Sequence, residues 1–465
     1  MYIITQNTFD SNMGRQTVFI YEVSTCNRRK LDAFKLSRYF VRNNCQIVDD
    51  PTKADIIILI TCAYSAEHAN QSLQMVNRFL GYDAELIVGG CLPAIEEERL
   101  SELFNGKTIV TSELEKIDEF FPENRVSFAN IEDANTLWEN INKHKLIKIF
   151  EKFFGKLLPL QRLFDTFSRC LTNLLYDGAT NYQKIIKNHL FAKYIKKRWF
   201  SSIRLYEDVF YIRPAWGCLG NCSYCVIKKA IGSIRSKPLD TIISEFKNGL
   251  KSEYKNFVLD ADDLGAYGID IGSNLPELLD KLTSIPGDYK IHIRNIHPVW
   301  VVKYIDPLES ILKRNKIQGF GSSIQSGNPR ILKLMHRFSD VKKMEEAFCR
   351  LREACPDLML VTECINGFPT ETREEFKETL DFIKEIDFSL GYIFPFSSRP
   401  GTFAESLEPK ISNDEIILRM KYAKRYLRKA GYNTLFLKRH NIMVFSKKFS
   451  TLDEGAKSFC LSTIG

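Results

Sequence analysis

No stretch of this chain approaches the ~18 consecutive apolar residues that a membrane-spanning helix needs, and the longest candidates are short pieces such as DIIILIT at 55–61. The opening MYIITQNTFDSNMGRQ has no basic region followed by an apolar stretch, so no secretory leader is read and a cytoplasmic location is expected. Histidine is scarce: the chain holds 7, and no two stand at metal-ligand spacing. In a reducing compartment a disulfide framework is not expected either. That leaves 12 cysteines, a large number, to be read as packing, metal-binding or catalytic residues.

Charge is present in quantity but unevenly placed. The formal net charge is +8, yet Ile141–Leu205 alone carries 14 Lys/Arg against 3 Asp/Glu, so the remainder is net negative. At 465 residues the chain exceeds one hydrophobic core, and its patterning divides it into four parts. Residues 1–130 alternate apolar runs (QTVFIYEV, ADIIILIT, ELIVGG) with amphipathic stretches (KLDAFKLSRYFVRN, SAEHANQSLQMVNRFL), which predicts a small parallel sheet of Rossmann-like α/β type. Cys26 follows the first run, Cys62 ends the second and Cys91 follows the third. In a parallel sheet these positions share one edge, so three thiols distant in sequence are expected to converge.

Residues 131–206 form a basic, largely helical insertion. Lys145, Lys148, Lys152 and Lys156 fall on one helical stripe opposite Ile149, Phe150, Phe153 and Leu157, and Pro159 interrupts it. The segment fits three roles: a solvated face packed on its neighbours, a phosphate-binding surface with Tyr194, Trp199 and Phe200 as stacking groups, or a partner or membrane contact. Residues 207–402 repeat strand and helix six times (DVFYIRP, NFVLDA, YKIHIRN, GFGSSI, LMLVTECIN, SLGYIFPF), which predicts a partial (β/α)6 barrel with its chemistry at the carboxyl mouth of the strands. Residues 403–465 hold one helix and a short tail.

Directly after the first barrel strand stands RPAWGCLGNCSYCVIKKAIG, with Cys218, Cys222 and Cys225 in C-x3-C-x2-C spacing. Structural zinc sites want four ligands, typically two C-x2-C pairs, and no second pair accompanies this loop. Three thiolates can instead hold three irons of a 4Fe–4S cube and leave the fourth iron open. An open iron can chelate the amino and carboxylate groups of S-adenosylmethionine (SAM) and pass an electron into its sulfonium.

These motifs resemble the radical SAM methylthiotransferases. DIIILITCAYSAEHANQS is similar to that family's strand–Thr–Cys–Ala motif and LIVGGCLPAI to its Gly–Cys motif. GFGSSIQSGNPRILKLMHR resembles its Gln–Ser–Gly stretch, INGFPTETREEF its Gly–Phe–Pro motif, and PFSSRPGT its closing Arg–Pro–Gly–Thr. DLGAYGIDIGSNLPELL is most similar to the branch that methylthiolates threonylcarbamoyladenosine in tRNA. The resemblance implies two 4Fe–4S clusters: one on Cys218, Cys222 and Cys225 that works with SAM, and an auxiliary one on Cys26, Cys62 and Cys91 that carries the sulfur. The expected chemistry is sulfur insertion, with a methylthio product, at an unactivated C–H bond by way of a 5′-deoxyadenosyl radical. Asp260 and Asp262 (with Asp263 beside them), Gln325, Ser326, Gly232 and Ser236 are the expected SAM-side contacts. A flavodoxin- or ferredoxin-type electron donor is the expected partner.

The chain departs from the pattern in places. Arg29 stands where members usually carry Asn, although Asp32 still matches. The usual Ala–Arg–Gly reads Ala230, Ile231, Gly232, and the third-strand motif has His292 and His297, read here as structural or hydrogen-bonding. The family's RNA-gripping C-terminal TRAM β-barrel needs more residues than the tail supplies. The acceptor expected on that ground is a peptide, a protein or a small biosynthetic intermediate. The alternative is an anticodon-loop adenosine of tRNA, with the basic segment replacing the TRAM domain. A third class is a radical SAM enzyme of other chemistry, or a non-catalytic iron–sulfur protein.

Overall fold

The computed structural model describes residues 15–23, 25–137, 209–437 and 441–447. Most of the basic segment, with Cys170 and Cys460, therefore lies outside the described residues.

Among the described residues fifteen strands run in chain order: β1 Thr17–Glu22, β2 Gln46–Ile47, β3 Ile56–Thr61, β4 Glu85–Gly90, β5 Lys107–Val110, β6 Val209–Ile212, β7 Ala215–Trp216, β8 Arg235–Ser236, β9 Asn256–Leu259, β10 Lys290–Ile296, β11 Ile317–Ser322, β12 Met359–Asn366, β13 Leu390–Pro395, β14 Asn433–Leu437 and β15 Ile442–Ser446. The first five make one parallel sheet in the order β2-β1-β3-β4-β5. Its centre is β3, whose β-branched run Ile56–Ile58, with Leu59 and Ile60, is buried throughout, as a strand covered by helices on both faces must be. Burying each such side chain contributes about 1.5–3 kcal/mol.

The second sheet has the order β14-β15-β13-β12-β11-β10-β9-β6. Its six strands from β6 to β13 are parallel, as the repeated strand–helix pattern predicts, and the sheet stays open, with β14 at one end and β6 at the other. The last two strands form an antiparallel hairpin that docks β15 on β13. Sequence patterning assigned these residues to a featureless tail. Each strand is five residues long, too short for its alternation to stand out. Strands β2 and β5 escaped notice for the same reason.

Helix Asn27–Arg42 begins immediately after Cys26, three residues earlier than periodicity suggested, because its first turn carries the polar residues Asn27, Arg28 and Arg29. Leu31 of this helix packs with Tyr211 of β6 and Val258 of β9, so the two sheets share apolar contact. Val226 and Ala230 from the loop after β7 likewise enter the core that holds Cys91 and Leu92.

Candidate active site

The neighbouring strands β1, β3 and β4 lead at one edge of the sheet to Cys26, Cys62 and Cys91. Cys62 follows β3, and its backbone N–H and C=O both engage the Ser72 hydroxyl (3.1 and 2.7 Å). Cys91 follows β4 and donates its N–H to Thr61 O at 3.1 Å. The two strand ends approach so closely that a Cβ on Gly90 (φ +102°) would lie 2.4 Å from Thr61 O, which explains the glycine before this cysteine. Cys26 is the N-cap of helix Asn27–Arg42, yet its side chain makes no capping bond, which leaves the sulfur available. Burial pushes the Cys62 thiol up to about 12, and the nearby Cys91 and Cys26 sulfurs push the same way. Burial also raises Cys91, while the Arg29 guanidinium beside it opposes that rise. The mutual influence places all three sulfurs in one electrostatic neighbourhood.

The other three thiols sit on the loop that leaves β6. The β7–β8 ribbon closes this loop at its base, with Ala215 opposite Ser236 and Trp216 opposite Arg235. Gly217 (φ +79°) passes so near the returning strand that a Cβ would meet Ser233 O at 2.0 Å. Gly220 donates its N–H to Cys218 Sγ at 3.1 Å, and a Cβ there would stand 3.2 Å from Cys218 Sγ and 3.8 Å from Cys222 Sγ. Arg337, from the stretch after β11, donates to Cys222 Sγ at 3.4 Å, to the Tyr224 hydroxyl at 3.3 Å, and to Ser323 O. Asp263 lies 3.8 Å from Cys218 Sγ and accepts from the Trp300 indole at 3.3 Å. Burial, then Asp263, pushes the Cys218 thiol up to about 12.

Among the described residues no group of three His, Cys, Asp or Glu side chains closes on a single metal ion. The donor sets fit a larger inorganic group instead. Each is three sulfurs gathered by glycine-dependent close approaches, and each has an arginine directed at it, Arg29 for one and Arg337 for the other. Burial that disfavours free thiolates is reversed when iron binds and displaces the protons.

The expected SAM-side residues divide in two. Asp260 and Asp262 are bound to helix Asn27–Arg42, since Arg28 reaches Asp260 at 2.7 Å and Asp262 at 2.9 Å. Asp262 also accepts the Gly217 N–H at 3.3 Å, so a continuous polar path joins the turn after Cys26 to the loop of Cys218. The Ser236 hydroxyl accepts Gly268 N–H, and the Ser326 hydroxyl accepts Asn328 N–H beside Thr379, so both serve their own loops. Gln325 (φ +68°) bridges backbone to backbone with β12 and keeps a partly exposed side chain. Gly232 ends the short helix Ile227–Ile231 at φ +71° and accepts Cys218 N–H. His297 caps helix Pro298–Lys303 through Nδ1, and His292 is fully buried in β10.

Sequence reasoning missed the residues that hold the halves together. Arg399, in the Arg–Pro–Gly–Thr stretch, donates to Ala63 O at 3.0 Å and to Glu96 at 2.6 Å, beside Cys62. Lys237 and Lys35 both bind Asp133 at 2.8 Å. At the mouth of β10, β11 and β12 the side chains of Arg294, Asn295, Ser323 and Glu363 line a shallow depression. Motif reading quoted Arg399 only within the Arg–Pro–Gly–Thr stretch and gave none of these residues a role.

Two sequence profiles match the chain: the radical SAM superfamily over residues 212–383, and uncharacterized protein family UPF0004 over residues 19–112. The threonylcarbamoyladenosine tRNA methylthiotransferase MtaB of Aquifex aeolicus is 28% identical over 397 residues, 84% of this chain and 83% of that protein. The ribosomal protein uS12 methylthiotransferase RimO of Thermotoga maritima is 27% identical over 397 residues, 84% of this chain and 78% of that protein. In fold, the chain is similar to the radical SAM methyltransferase TsrM of Kitasatospora setae, with a TM-score of 0.55 at 10% identity, over 93% of this chain and 88% of that one. With both profiles on one chain and methylthiotransferases of two kinds as relatives over more than four-fifths of its length, this protein is similar to the radical SAM methylthiotransferases.

Proposed function

We propose that Cys218, Cys222 and Cys225 hold the SAM-cleaving 4Fe–4S cluster, that Cys26, Cys62 and Cys91 hold the auxiliary one, and that the enzyme inserts sulfur, finally as methylthio, at an unactivated C–H bond. The observation that carries this reading is the path from Cys26 through Arg28 and Asp262 to Gly217 and Cys218, which joins the two thiol sets across the mouth of the barrel. When bound, SAM and two cubes supply one-electron chemistry and a transferable sulfur. The chain's own residues do the rest. Arg337 and the Gly220 N–H donate toward the loop sulfurs, and Arg28 keeps the two sets in register. Gln325 and Gly232, with Asp260, Asp262, Ser236 and Ser326, are the residues proposed to face SAM, and Arg294 and Glu363 line the strand mouths beside them. An electron donor of flavodoxin or ferredoxin type would complete the cycle.

For the acceptor, a tRNA adenosine is the first reading, because the threonylcarbamoyladenosine enzymes are relatives over more than four-fifths of the chain. A protein side chain is the second, favoured by the uS12 methylthiotransferases at nearly the same identity. Small biosynthetic intermediates come after both. Anaerobically reconstituted protein should bind about eight irons and convert SAM to methionine and 5′-deoxyadenosine. Binding of about four irons would overturn the two-cluster reading. Digested tRNA from cells with and without the gene, compared by mass spectrometry, then decides the acceptor: loss of one methylthio nucleoside establishes tRNA, and an unchanged profile excludes it.

A further inference from the structure

Arg29 occupies a position where its charge has few partners. Its side chain is about 2% exposed, and its Nε pairs with Asp32 Oδ2 at 2.9 Å. Asp32 is itself shared, because Arg213 reaches its other oxygen at 2.6 Å. Two buried guanidiniums thus divide one buried carboxylate, and Arg29 Nη1 and Nη2 have no oxygen or nitrogen partner, the Cys91 thiol being the group they face. A buried guanidinium with idle donors is costly unless an anion faces it. The groups that Arg29 acts on electrostatically, apart from Asp32 and Asp262, are Cys91 and Cys26. An oxidised cube on three thiolates carries a net negative charge, and charge and hydrogen bonds to sulfur set its reduction potential.

Resting on the assignment of Cys26, Cys62 and Cys91 as cluster ligands, we propose that Arg29 is a positioning residue for the auxiliary cluster, its free Nη donors directed at the cluster's sulfur atoms and its charge raising the cluster's reduction potential. The side chain lies in the first turn of the helix that Cys26 caps, so the cysteine and the compensating cation are delivered by one element. No bond is made or broken by Arg29. It keeps the reduced, more negative form of the cluster accessible.

The test uses the full chain, reconstituted anaerobically, with the C218A/C222A/C225A variant isolating the auxiliary cluster. Iron content is measured first, followed by a redox titration monitored by electron paramagnetic resonance. The expected result is a lower midpoint potential in R29N and R29Q, by at least a tenfold change in the oxidised-to-reduced ratio at fixed potential, which is ~59 mV for one electron. R29K, which keeps the charge, should recover most of the shift. An unchanged potential in R29N and R29Q, or an equal shift in R29K, would overturn the proposal, the second pattern meaning that only packing was lost. A C218A/C222A/C225A variant that binds no iron would overturn the ligand assignment itself, which separates that failure from this one.

Discussion

Gly217 shows how much of the site depends on the absence of one carbon. Its φ of +79° and the 2.0 Å approach of any Cβ to Ser233 O mean that Gly217→Ala must open the base of the loop that holds Cys218, Cys222 and Cys225. Such strain costs about 1–3 kcal/mol at the residue. The greater effect should fall on metal: reconstituted Gly217→Ala should lose about half its iron, with the auxiliary set unaffected, as an iron assay would read. Normal iron content would show that the loop tolerates reshaping. Both glycine and cysteines are plain in the sequence, but the reason for the glycine is not. Ser233 is sixteen residues away, and only the β7–β8 pairing brings it close.

At the scale of elements, helix Asn413–Lys429 is tied to helix Arg373–Ile386 through Glu415. That carboxylate accepts from Arg373 at 2.6 and 2.7 Å and from Arg419 at 2.8 Å, and these bonds, Arg373 first, hold it down at about 2. The stabilisation is present above the ordinary Glu value of ~4.3 and is lost as pH falls through about 2. Because Arg373 is mostly exposed, solvent screening keeps the contribution to about 1 kcal/mol. Urea denaturation of Glu415→Gln should show this loss at pH 7 and a shrinking difference from wild type as pH falls toward 3. A pH-independent difference would mean that packing, not charge, sets it. The helices themselves were readable from their 3.6-residue apolar period. Their pairing was not, since Arg373 and Glu415 are 42 residues apart.

At the scale of the whole molecule, the contact that matters most is Arg399 with Glu96. Both side chains are about 3% exposed, and they join the end of the barrel sheet to the edge that presents Cys62 and Cys91. Breaking a buried pair typically costs about 3–5 kcal/mol, but Arg99 still holds Glu96 at 3.1 Å, so Arg399→Ala should cost nearer 2–3 kcal/mol. The two sheets should then unfold less cooperatively, seen as separated denaturation transitions by tryptophan fluorescence and far-ultraviolet circular dichroism. A single transition with wild-type midpoint would show that the apolar contacts alone, Leu31 on Tyr211 and Val226 on the Cys91 core, couple the halves.

The cysteine spacing at 218, 222 and 225, the six strand–helix repeats and the three strand-end thiols were all legible in the linear sequence, because a short ligand loop and periodic burial are local properties. Five-residue strands such as β14 and β15 carry too little periodicity to be seen, and they are strands only because β13 offers a free edge. Asp260 and Asp262 were read as candidates for binding SAM, and tertiary structure adds what the sequence could not show, that both pair with Arg28, a residue more than two hundred positions earlier. The sequence by itself determined which thiols stand at ligand spacing and at strand ends. Only the tertiary structure decided which charges face them, since ion pairs between distant segments leave no period and no spacing to read.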